Sequence, residues 1–280
     1  MQIIRTKDEL NALQDELKSN RQDVGFVPTM GALHQGHISL LKKCRKECAV
    51  SVVSIFVNPL QFNNKEDLQK YPNTLSEDIE LLTENSCDYL FLPDVSLIYP
   101  DDYQPIVVSI DHLNHQMEGK YRPGHFEGVV KVVHRLFELI QPQRAYFGTK
   151  DFQQLAVITH MVKFLSLPIE IVPCETIREV DGLAMSSRNM RLSSTQKKEA
   201  TFIYEVLIKG KALAFSHTPE ETKNQLVALF KGSQLELEYL EIVDPETLSS
   251  LDQTWLPKSR ACIAAYCGGI RLIDNLQLVD

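Results

Sequence analysis

Two histidines lie at the start of a predicted helix, in the stretch VPTMGALHQGHISLL (residues 27–41). His34 and His37 are three residues apart, a spacing that lets both imidazoles point to the same side of a helix. The first turn of a helix presents unpaired N–H groups and the positive end of the dipole, which attract phosphate. We therefore expect the imidazoles to donate hydrogen bonds to an α-phosphate under attack and to the departing pyrophosphate, as in nucleotidyl transfer.

The same loop has part of the spacing of a P-loop. Gly31 and Gly36 are separated by four residues, but a histidine and an isoleucine follow where a P-loop has lysine and serine or threonine. These positions supply neither an ammonium for the β- and γ-phosphates nor a hydroxyl for the metal. A zinc site that recruits Cys44 and Cys48 is an alternative, although the set lacks a recognisable zinc spacing.

A second polar stretch, FVNPLQF, follows the next long apolar run. Asn58 and Gln61 offer neutral donors and acceptors on a turn that Pro59 fixes. Phe56 and Phe62 would form the walls of a small pocket around one or two amides. The alternative is an ordinary polar turn.

A third stretch, FGTKDFQQL, lies between a predicted strand and a predicted helix. Lys150 places a positive charge at the edge where phosphate is expected. Gln154 has two interpretations. It completes a capping box with Asp151, or its amide faces the cleft and binds a hydroxyl or carboxylate of a substrate.

The fourth stretch, MSSRN (residues 185–189), lies in a polar segment beyond the predicted sheet. Two hydroxyls and a guanidinium suit a loop that closes over a triphosphate, whereas a serine-rich linker is the alternative. The expected phosphates lie over His34 and Lys150, so the loop would act by bridging the two parts of the chain.

Apolar, β-branched runs alternate with helical periods in the first part of the chain. They predict strands at residues 24–28, 49–57, 89–92, 107–110, 145–148 and 169–173, and helices at residues 40–48, 75–85, 129–140 and 155–167. This alternation indicates an α/β fold with a doubly wound, Rossmann-like parallel sheet covered on both faces. Ligands of such sheets bind beyond the carboxyl ends of the strands, where the histidine stretch begins.

The pattern changes at about residue 176. A polar segment leads to two helical segments and then to LELEYLEIVD and RACIAAYCGGIRLIDNL, which are typical of antiparallel strands. We predict two domains, a nucleotide-binding domain of residues 1–176 and a smaller α+β lid domain of residues 177–280.

Composition narrows the class of protein. A net charge of −8 over 280 residues argues against a general nucleic-acid binder, which needs a basic face. No basic start followed by an apolar core resembles a signal peptide, and no apolar run has the length of a membrane span. The six cysteines contain no CxxC pair and are typical of reduced thiols. We expect a cytoplasmic protein with no membrane or nucleic-acid partner.

Taken together, the HxGH loop and the later MSSR loop resemble the HIGH and KMSKS pair of nucleotidylyltransferases and class I aminoacyl-tRNA synthetases. A synthetase of that class needs an anticodon-reading module and a basic surface, and this acidic chain is short for that. Five stretches, in order, resemble the blocks of the pantothenate synthetase (pantoate–β-alanine ligase) family: PTMGALHQGH, FVNPLQF, YRPGHFEGV, FGTKDFQQL and REVDGLAMSSRN.

The resemblance implies an ATP-dependent condensation of (R)-pantoate with β-alanine. Pantoate attacks the α-phosphate of ATP to give pantoyl adenylate and pyrophosphate, and the amine of β-alanine then displaces AMP. Both carboxylate substrates are anions, so Arg122, Lys150 and Arg188 are the candidate positive groups. Mg²⁺ would screen the triphosphate. The resemblance also implies a homodimer that forms through the first domain, with small molecules as the other partners.

The resemblance further implies a role for individual residues. The catalytic residues would be His37 as general acid, with His34 and Lys150. The ATP contacts would be Met30, Gly31, Ala32, Leu33, His34, Gln35, Gly36, His37, Gly148, Thr149, Lys150, Asp151, Ile177, Met185, Ser186, Ser187 and Arg188. Gln61 and Gln154 would bind pantoate, Gln61 would also contact β-alanine, and Asn58 completes the predicted substrate set. No residue is predicted to ligate a resident metal.

Two rival functions stay open on the sequence. One is a nucleotidylyltransferase that releases a dinucleotide or CDP product without an amine step. The other is a non-catalytic nucleotide-binding regulator that keeps the fold. Pantoate-dependent exchange of pyrophosphate into ATP separates the family interpretation from both.

Overall fold

A computed structural model describes residues 1–63 and 65–280, except for the side chain of Lys65. The strands are β1 (Gln2–Ile4), β2 (Val24–Thr29), β3 (Val50–Ile55), β4 (Tyr89–Phe91), β5 (Arg144–Gly148), β6 (Glu170–Cys174), β7 (Glu236–Val243), β8 (Arg260–Cys267) and β9 (Ile270–Gln277). The helices are α1 (Lys7–Ser19), α2 (Gln35–Glu47), α3 (Lys65–Gln69), α4 (Leu75–Glu84), α5 (Val95–Ile98), α6 (Asp111–Asn114), α7 (Met117–Tyr121), α8 (His125–Ile140), α9 (Phe152–Phe164), α10 (Ser194–Ala200), α11 (Phe202–Leu213) and α12 (Pro219–Phe230). None of the described helices combines the length and the apolar content needed to cross a bilayer.

Strands β1 to β6 form one parallel sheet in the order β1-β4-β3-β2-β5-β6. All six residues of β3 are buried, as expected of a strand covered on both faces. From β2 the chain winds outward through β3 to β4, whereas β5 and β6 lie on the other side of β2. The sheet is therefore doubly wound, as predicted, and its switch point lies between β2 and β5, where ligands of such sheets bind.

Five of the six strands predicted in this part of the chain are present, and the sixth is wrong. The segment 107–110 belongs to no described strand; Val107 is 90% exposed, whereas Val108 and Ile110 are buried. An apolar, β-branched run gave this segment the pattern of a strand, but no described strand pairs with it. Strand β1, which is three residues long, was not predicted, and helices α2, α8 and α9 begin several residues earlier than predicted.

The chain divides into two compact units. The first comprises residues 1–110, 122–149 and 154–175, and the second comprises residues 111–121, 150–153 and 176–280. In the second unit the antiparallel sheet β7-β8-β9 packs with α10, α11 and α12, which confirms the predicted α+β character. These are three helices beyond residue 176, where two were predicted.

Two stretches from the first 176 residues are tied into the second unit by long-range polar contacts. The carboxylate of Glu118 accepts hydrogen bonds from Arg271 at 2.6 and 2.8 Å and from the Tyr239 hydroxyl at 2.8 Å. The amide of Gln153 donates to the carbonyl of Leu113 at 2.7 Å. These buried contacts join residues that lie far apart in sequence, so the periodic pattern of the chain gives no sign of them.

Candidate active site

The histidine loop (residues 30–37) leaves the carboxyl end of β2 with an unusual backbone. Gly31 and Ala32 have positive φ angles of 82° and 50°. A left-handed conformation costs an L-residue such as alanine roughly 1–2 kcal/mol. The carboxylate of Asp78, which is buried on α4, accepts hydrogen bonds from the N–H groups of Ala32 at 2.9 Å and Leu33 at 2.8 Å. Asp78 therefore holds the loop in this conformation.

The two imidazoles cap the helix and lie against each other. His34 is the N-cap of α2, and its Nδ1 accepts from the N–H of Gly36 at 3.1 Å. Nδ1 of His37 accepts from the N–H of His34 at 3.3 Å. A neutral imidazole that accepts at Nδ1 carries its hydrogen on Nε2. Capping thus uses one nitrogen of each ring, and the other nitrogen is a donor.

The rings themselves are adjacent, as the three-residue spacing predicts. Their centroids are 4.1 Å apart and their planes are inclined by 40°. Both rings are half-buried at the first turn of α2, beside its N–H groups and the positive end of its dipole. This geometry suits the recognition of an anion by two N–H donors.

The zinc alternative lacks its ligand set. Cys44 lies in a core cluster with Val27 and Ile38, and burial raises the pKa of its thiol. A raised pKa disfavours the thiolate that zinc requires. In the part of the chain that the structure describes, no three His, Cys, Asp or Glu side chains are arranged to hold a metal ion.

Asn58 organises the turn that follows β3. It is the N-cap of the one-turn 3₁₀ helix that ends at Gln61, and its Oδ1 accepts from the N–H of Leu60 at 3.2 Å and from the Tyr99 hydroxyl at 2.9 Å. Its Nδ2 donates to Oε1 of Gln61 at 3.2 Å and to the carbonyl of Gly128 at 3.1 Å. These four contacts use the two donors and two acceptor lone pairs of the amide.

Gln61 is held through both its side chain and its main chain. The residue is 8% exposed, and its side-chain Nε2 lies 3.0 Å from Sδ of Met30. We refer to Met30, Asn58 and Gln61 as the amide cluster. The Gln61 carbonyl accepts from Nδ1 of the buried His125 at 2.8 Å, and Nε2 of that ring accepts from Arg122 at 3.1 Å. Arg122, a candidate cation for the substrates, therefore supports this turn.

Gly128 allows helix α8 to approach the turn that carries Gln61. A Cβ atom at this position would lie 2.4 Å from the carbonyl oxygen of Leu60, which is far below contact distance. The only signal in the sequence is a glycine inside a strongly helical period. Its role depends on a neighbour 68 residues away in the chain, so local pattern does not reveal it.

Aromatic side chains pack around the same turn. Phe56 contacts Tyr99 edge to face with centroids 6.3 Å apart, and Phe62 contacts Tyr71 in the same way at 5.8 Å. Burial raises the pKa of Tyr99, so its hydroxyl stays protonated and donates to Asn58. Phe56 and Phe62 therefore each pack against a tyrosine. Tyr99, which the sequence did not predict as part of the site, stabilises the amide cluster through Asn58.

The end of β5 and the start of α9 contain the next predicted residues. Apart from the two chain neighbours of Gly148, no described residue has an atom within 4 Å of the point that a Cβ at this position would occupy, so this backbone faces open space. Helix α9 begins at Phe152, and within the described chain the side-chain amide of Gln154 makes no hydrogen bond. The capping-box interpretation of Asp151 and Gln154 is therefore wrong.

Lys150 and the MSSRN stretch belong to the second unit. The Lys150 side chain is 17% exposed, its Nζ lies 3.6 Å from the Asp151 carboxylate, and its carbonyl accepts from Asn275 at 2.7 Å. The Ser186 hydroxyl caps a 3₁₀ turn by accepting from the N–H of Arg188 at 3.3 Å. Both stretches therefore have defined local structure.

Arg178 anchors the segment that leads into the MSSRN stretch. Its guanidinium binds the Asp274 carboxylate of β9 at 2.5 and 3.0 Å and lies 4.2 Å from the centroid of the Tyr204 ring. The N–H of Met185 donates to the carbonyl of Ile177 at 3.0 Å, which closes the segment into a hairpin-like loop. Neither Arg178 nor Asp78 was predicted, because the partner of each lies distant in sequence.

Comparison with known proteins identifies the family. The family model for pantoate–β-alanine ligase matches residues 2–277. The chain belongs to the pantoate–β-alanine ligase family. It is a ligase that forms the amide bond between pantoate and β-alanine, with ATP as a substrate.

Named relatives align over the whole chain. A pantothenate synthetase from Porphyromonas gingivalis is 44% identical over 283 residues, which cover 100% of both chains. One from Christiangramia forsetii is 48% identical over 281 residues, which cover 99% of each chain. The similarity therefore includes both units of this ligase.

Solved structures of the family have the same fold. Pantothenate synthetase from Thermus thermophilus superposes with a TM-score of 0.94 at 42% identity, with complete coverage of both chains. The ligase from Francisella tularensis, solved in complex with beta-gamma ATP and beta-alanine, gives a TM-score of 0.82 at 39% identity. That match covers 99% of this chain and 98% of the other.

Proposed function

We propose that the histidine loop and the amide cluster form an adenylation site, in which the pantoate carboxylate attacks the α-phosphorus of ATP. The observation that carries this proposal is the imidazole pair, in which each ring is held at Nδ1 and donates from Nε2 at the start of α2. Such donors stabilise the negative charge that develops on the α-phosphate and on the leaving pyrophosphate. His37 acts as general acid and His34 as the second donor.

Formation of the adenylate allows the amide bond to form at neutral pH. A carboxylate oxygen of pantoate forms a bond to the α-phosphorus, and the bond from that phosphorus to the bridging oxygen of pyrophosphate breaks. The amine of β-alanine then forms a bond to the acyl carbon, and the bond from that carbon to the AMP oxygen breaks. A mixed anhydride acylates an amine, whereas a free carboxylate does not.

We assign the nucleotide to the positions that the family resemblance implies. Residues 30–37, Gly148 and Thr149 contact ATP, and the open space at Gly148 supports this assignment. Lys150, Asp151, Ile177 and residues 185–188 are assigned to ATP as well, with Lys150 as a catalytic cation. Lysine and arginine side chains match the charge of the triphosphate.

We assign pantoate to Gln61 and Gln154. Nε2 of Gln61 has two N–H donors, of which one contacts Sδ of Met30, and the side-chain amide of Gln154 makes no hydrogen bond within the described chain. Asn58, whose four hydrogen-bonding positions are filled by protein groups, serves the substrate by orienting Gln61. Gln61 also contacts β-alanine in the second step.

The described residues offer no carboxylate cluster for Mg²⁺, and the Asp78 carboxylate is already bound to backbone N–H groups. We therefore assign Mg²⁺ to the triphosphate as part of the ATP substrate. We also propose a cytoplasmic homodimer that forms through the first unit. The unpaired state of all six cysteines supports a reducing compartment, and the exposed side chains of Val107 and Phe164 give that unit apolar surface.

Exchange of labelled pyrophosphate into ATP tests the proposed function. We expect exchange that requires pantoate and proceeds without β-alanine, because the first step is reversible and complete in itself. A protein that exchanges only with a nucleotide or phosphorylated co-substrate would be a nucleotidylyltransferase of another kind. A folded, ATP-binding protein without exchange would be a regulator.

Replacing Gln154 with alanine should raise the KM for pantoate by at least about tenfold and leave the KM for ATP within about twofold. The thermal midpoint should stay unchanged, because the Gln154 amide makes no hydrogen bond in the described chain. Gln153→Ala is the matched control. It removes hydrogen bonds to Leu113 and Gln116 and should lower the midpoint instead. A destabilised Gln154 variant with normal pantoate dependence would contradict the assignment.

Replacing Asp78 with asparagine should raise the KM for ATP by about tenfold and lower the free energy of unfolding by about 1–3 kcal/mol. Asparagine has one acceptor oxygen, so the N–H of Ala32 or Leu33 loses its partner and the positive φ of Ala32 is less well supported. Glu77→Gln, at an exposed carboxylate on the same helix, is the control. Steady-state kinetics gives the KM for ATP, and urea unfolding gives the free energy of unfolding. Equal values of both quantities in the Asp78 and Glu77 variants would refute this role of Asp78.

A further inference from the structure

The first unit contains a cavity at the opposite end of the parallel strands from the histidine loop. Its volume is about 680 Å³, within the range of pockets that bind small molecules. Its lining includes Val24 at the start of β2, together with Gln143 and Ile169, which directly precede β5 and β6. The cavity therefore lies at the amino ends of these strands, whereas the histidine loop follows the carboxyl end of β2.

The walls of this cavity are mainly apolar. Leu17 of α1, Phe137 and Ile140 of α8, and Leu167 contribute hydrocarbon surface. Burial of apolar surface against such walls contributes about 25 cal/mol of favourable free energy for each Å² that is removed from water. A ligand with an apolar body is the one that this lining favours.

A buried histidine in the lining has an unsatisfied nitrogen. His134 is 9% exposed, and its Nδ1 makes no hydrogen bond within the described chain. The nearest carboxylate oxygen, Oε2 of Glu138, is 3.7 Å away and binds Arg135 at 3.2 Å. Burial lowers the pKa of His134, which keeps the ring neutral. Buried polar atoms normally have a partner, so this nitrogen indicates a missing one.

The mouth of the cavity carries unbalanced positive charge. Lys18 and Arg21 are exposed there and form no ion pair with any described residue. Both carboxylates in the lining are already paired: Asp23 binds Arg144 at 2.6 Å, and Glu138 binds Arg135. An anion at the mouth would meet two cations without a competing carboxylate.

We propose that this cavity binds an amphipathic organic anion. The apolar body packs between Leu17, Phe137 and Leu167, the carboxylate lies at Lys18 and Arg21, and a polar atom of the ligand pairs with His134. The site is separate from the adenylation site of the first unit, so the ligand and ATP bind without competition. This proposal does not depend on the proposed function.

Titration of the full-length, isotope-labelled protein with octanoate, followed by ¹H–¹⁵N correlation spectra, tests the proposal. We expect amide shifts to cluster at residues 17–24, 137–143 and 167–169, with none in residues 30–37. Titration with 8-hydroxyoctanoate, whose terminal hydroxyl can pair with Nδ1 of His134, should in addition change the ring ¹⁵N signals of that residue. The same shifts and affinity should persist with saturating ATP. Octylammonium and 1-octanol serve as matched cationic and neutral probes and should bind at least about fivefold more weakly.

Charge reversal at the mouth gives the decisive comparison. K18E/R21E should weaken octanoate by about fivefold and change octanol by less than about twofold, since each surface ion pair contributes only a fraction of a kcal/mol. K209E/K211E reverses two exposed lysines of α11 and should leave octanoate binding unchanged. Equal binding of the three probes, insensitivity to K18E/R21E in a protein of normal thermal midpoint, or shifts centred on the histidine loop would each overturn the proposal.

Discussion

Replacing His37 with asparagine is expected to lower pantoate-dependent exchange of pyrophosphate into ATP by about two orders of magnitude or more, as for other donors to a transition state. The asparagine oxygen lies close to the position of Nδ1 and still accepts from the N–H of His34, so α2 stays capped. The Nε2–H donor is lost. The substitution therefore separates the nitrogen that we propose to be catalytic from the capping nitrogen of the same ring.

Two further substitutions complete this test. His37→Gln places an amide nitrogen close to the position of Nε2 and should recover part of the exchange rate. His37→Ala removes both functions and should also lower the free energy of unfolding by about 1 kcal/mol, the usual effect of losing a cap. Near-wild-type exchange in a folded asparagine variant would remove His37 from the chemistry. Equal losses in the asparagine and glutamine variants would contradict a role for the Nε2 donor.

Replacing Arg188 with alanine should lower the rate of the ATP-dependent first step by about a hundredfold. A guanidinium grips phosphate oxygens through two parallel N–H donors, which alanine lacks and lysine replaces less well. Acyl transfer from preformed pantoyl adenylate to β-alanine should stay within about tenfold of the normal rate, because pyrophosphate has already left. Synthetic pantoyl adenylate supplied to the variant measures the second step alone.

Arg188→Lys and Arg191→Ala give this experiment its controls. The lysine variant should fall between wild type and alanine, and Arg191, which ends the same 3₁₀ turn, should tolerate alanine in both steps. Equal loss of both half-reactions in Arg188→Ala would mean that the stretch organises the whole cleft. The assignment of Arg188 to the leaving group would then be wrong.

Local pattern was sufficient for five of the six strands of the parallel sheet and for the adjacency of His34 and His37. The apolar run of β2, the loop and the periodic α2 are adjacent in sequence, and a three-residue spacing brings His34 and His37 together by helix geometry alone. The prediction failed at residues 107–110, because a strand also needs a neighbour to pair with, and an apolar, β-branched run contains no information about that neighbour.

The support of the site depends on distant residues, which is why the sequence did not reveal it. Asp78 holds a loop 45 and 46 residues away, and His125 fixes the Gln61 carbonyl from 64 residues away. Glu118 ties its segment into the second unit through Arg271, 153 residues further along the chain. The five family blocks contain several of these residues, but spacing alone does not say which ones touch.

Isotope transfer from pantoate to AMP tests the central claim, that the carboxylate of pantoate is activated as an adenylate. Pantoate labelled with ¹⁸O in both carboxylate oxygens is incubated with ATP, β-alanine and the protein. The masses of AMP, pantothenate and pyrophosphate are then measured by mass spectrometry. Attack at the α-phosphorus predicts one ¹⁸O in AMP, one in the amide carbonyl of pantothenate and none in pyrophosphate. Labelled orthophosphate together with ADP would mean attack at the γ-phosphorus, and would contradict the proposed role of the histidine loop in adenylation.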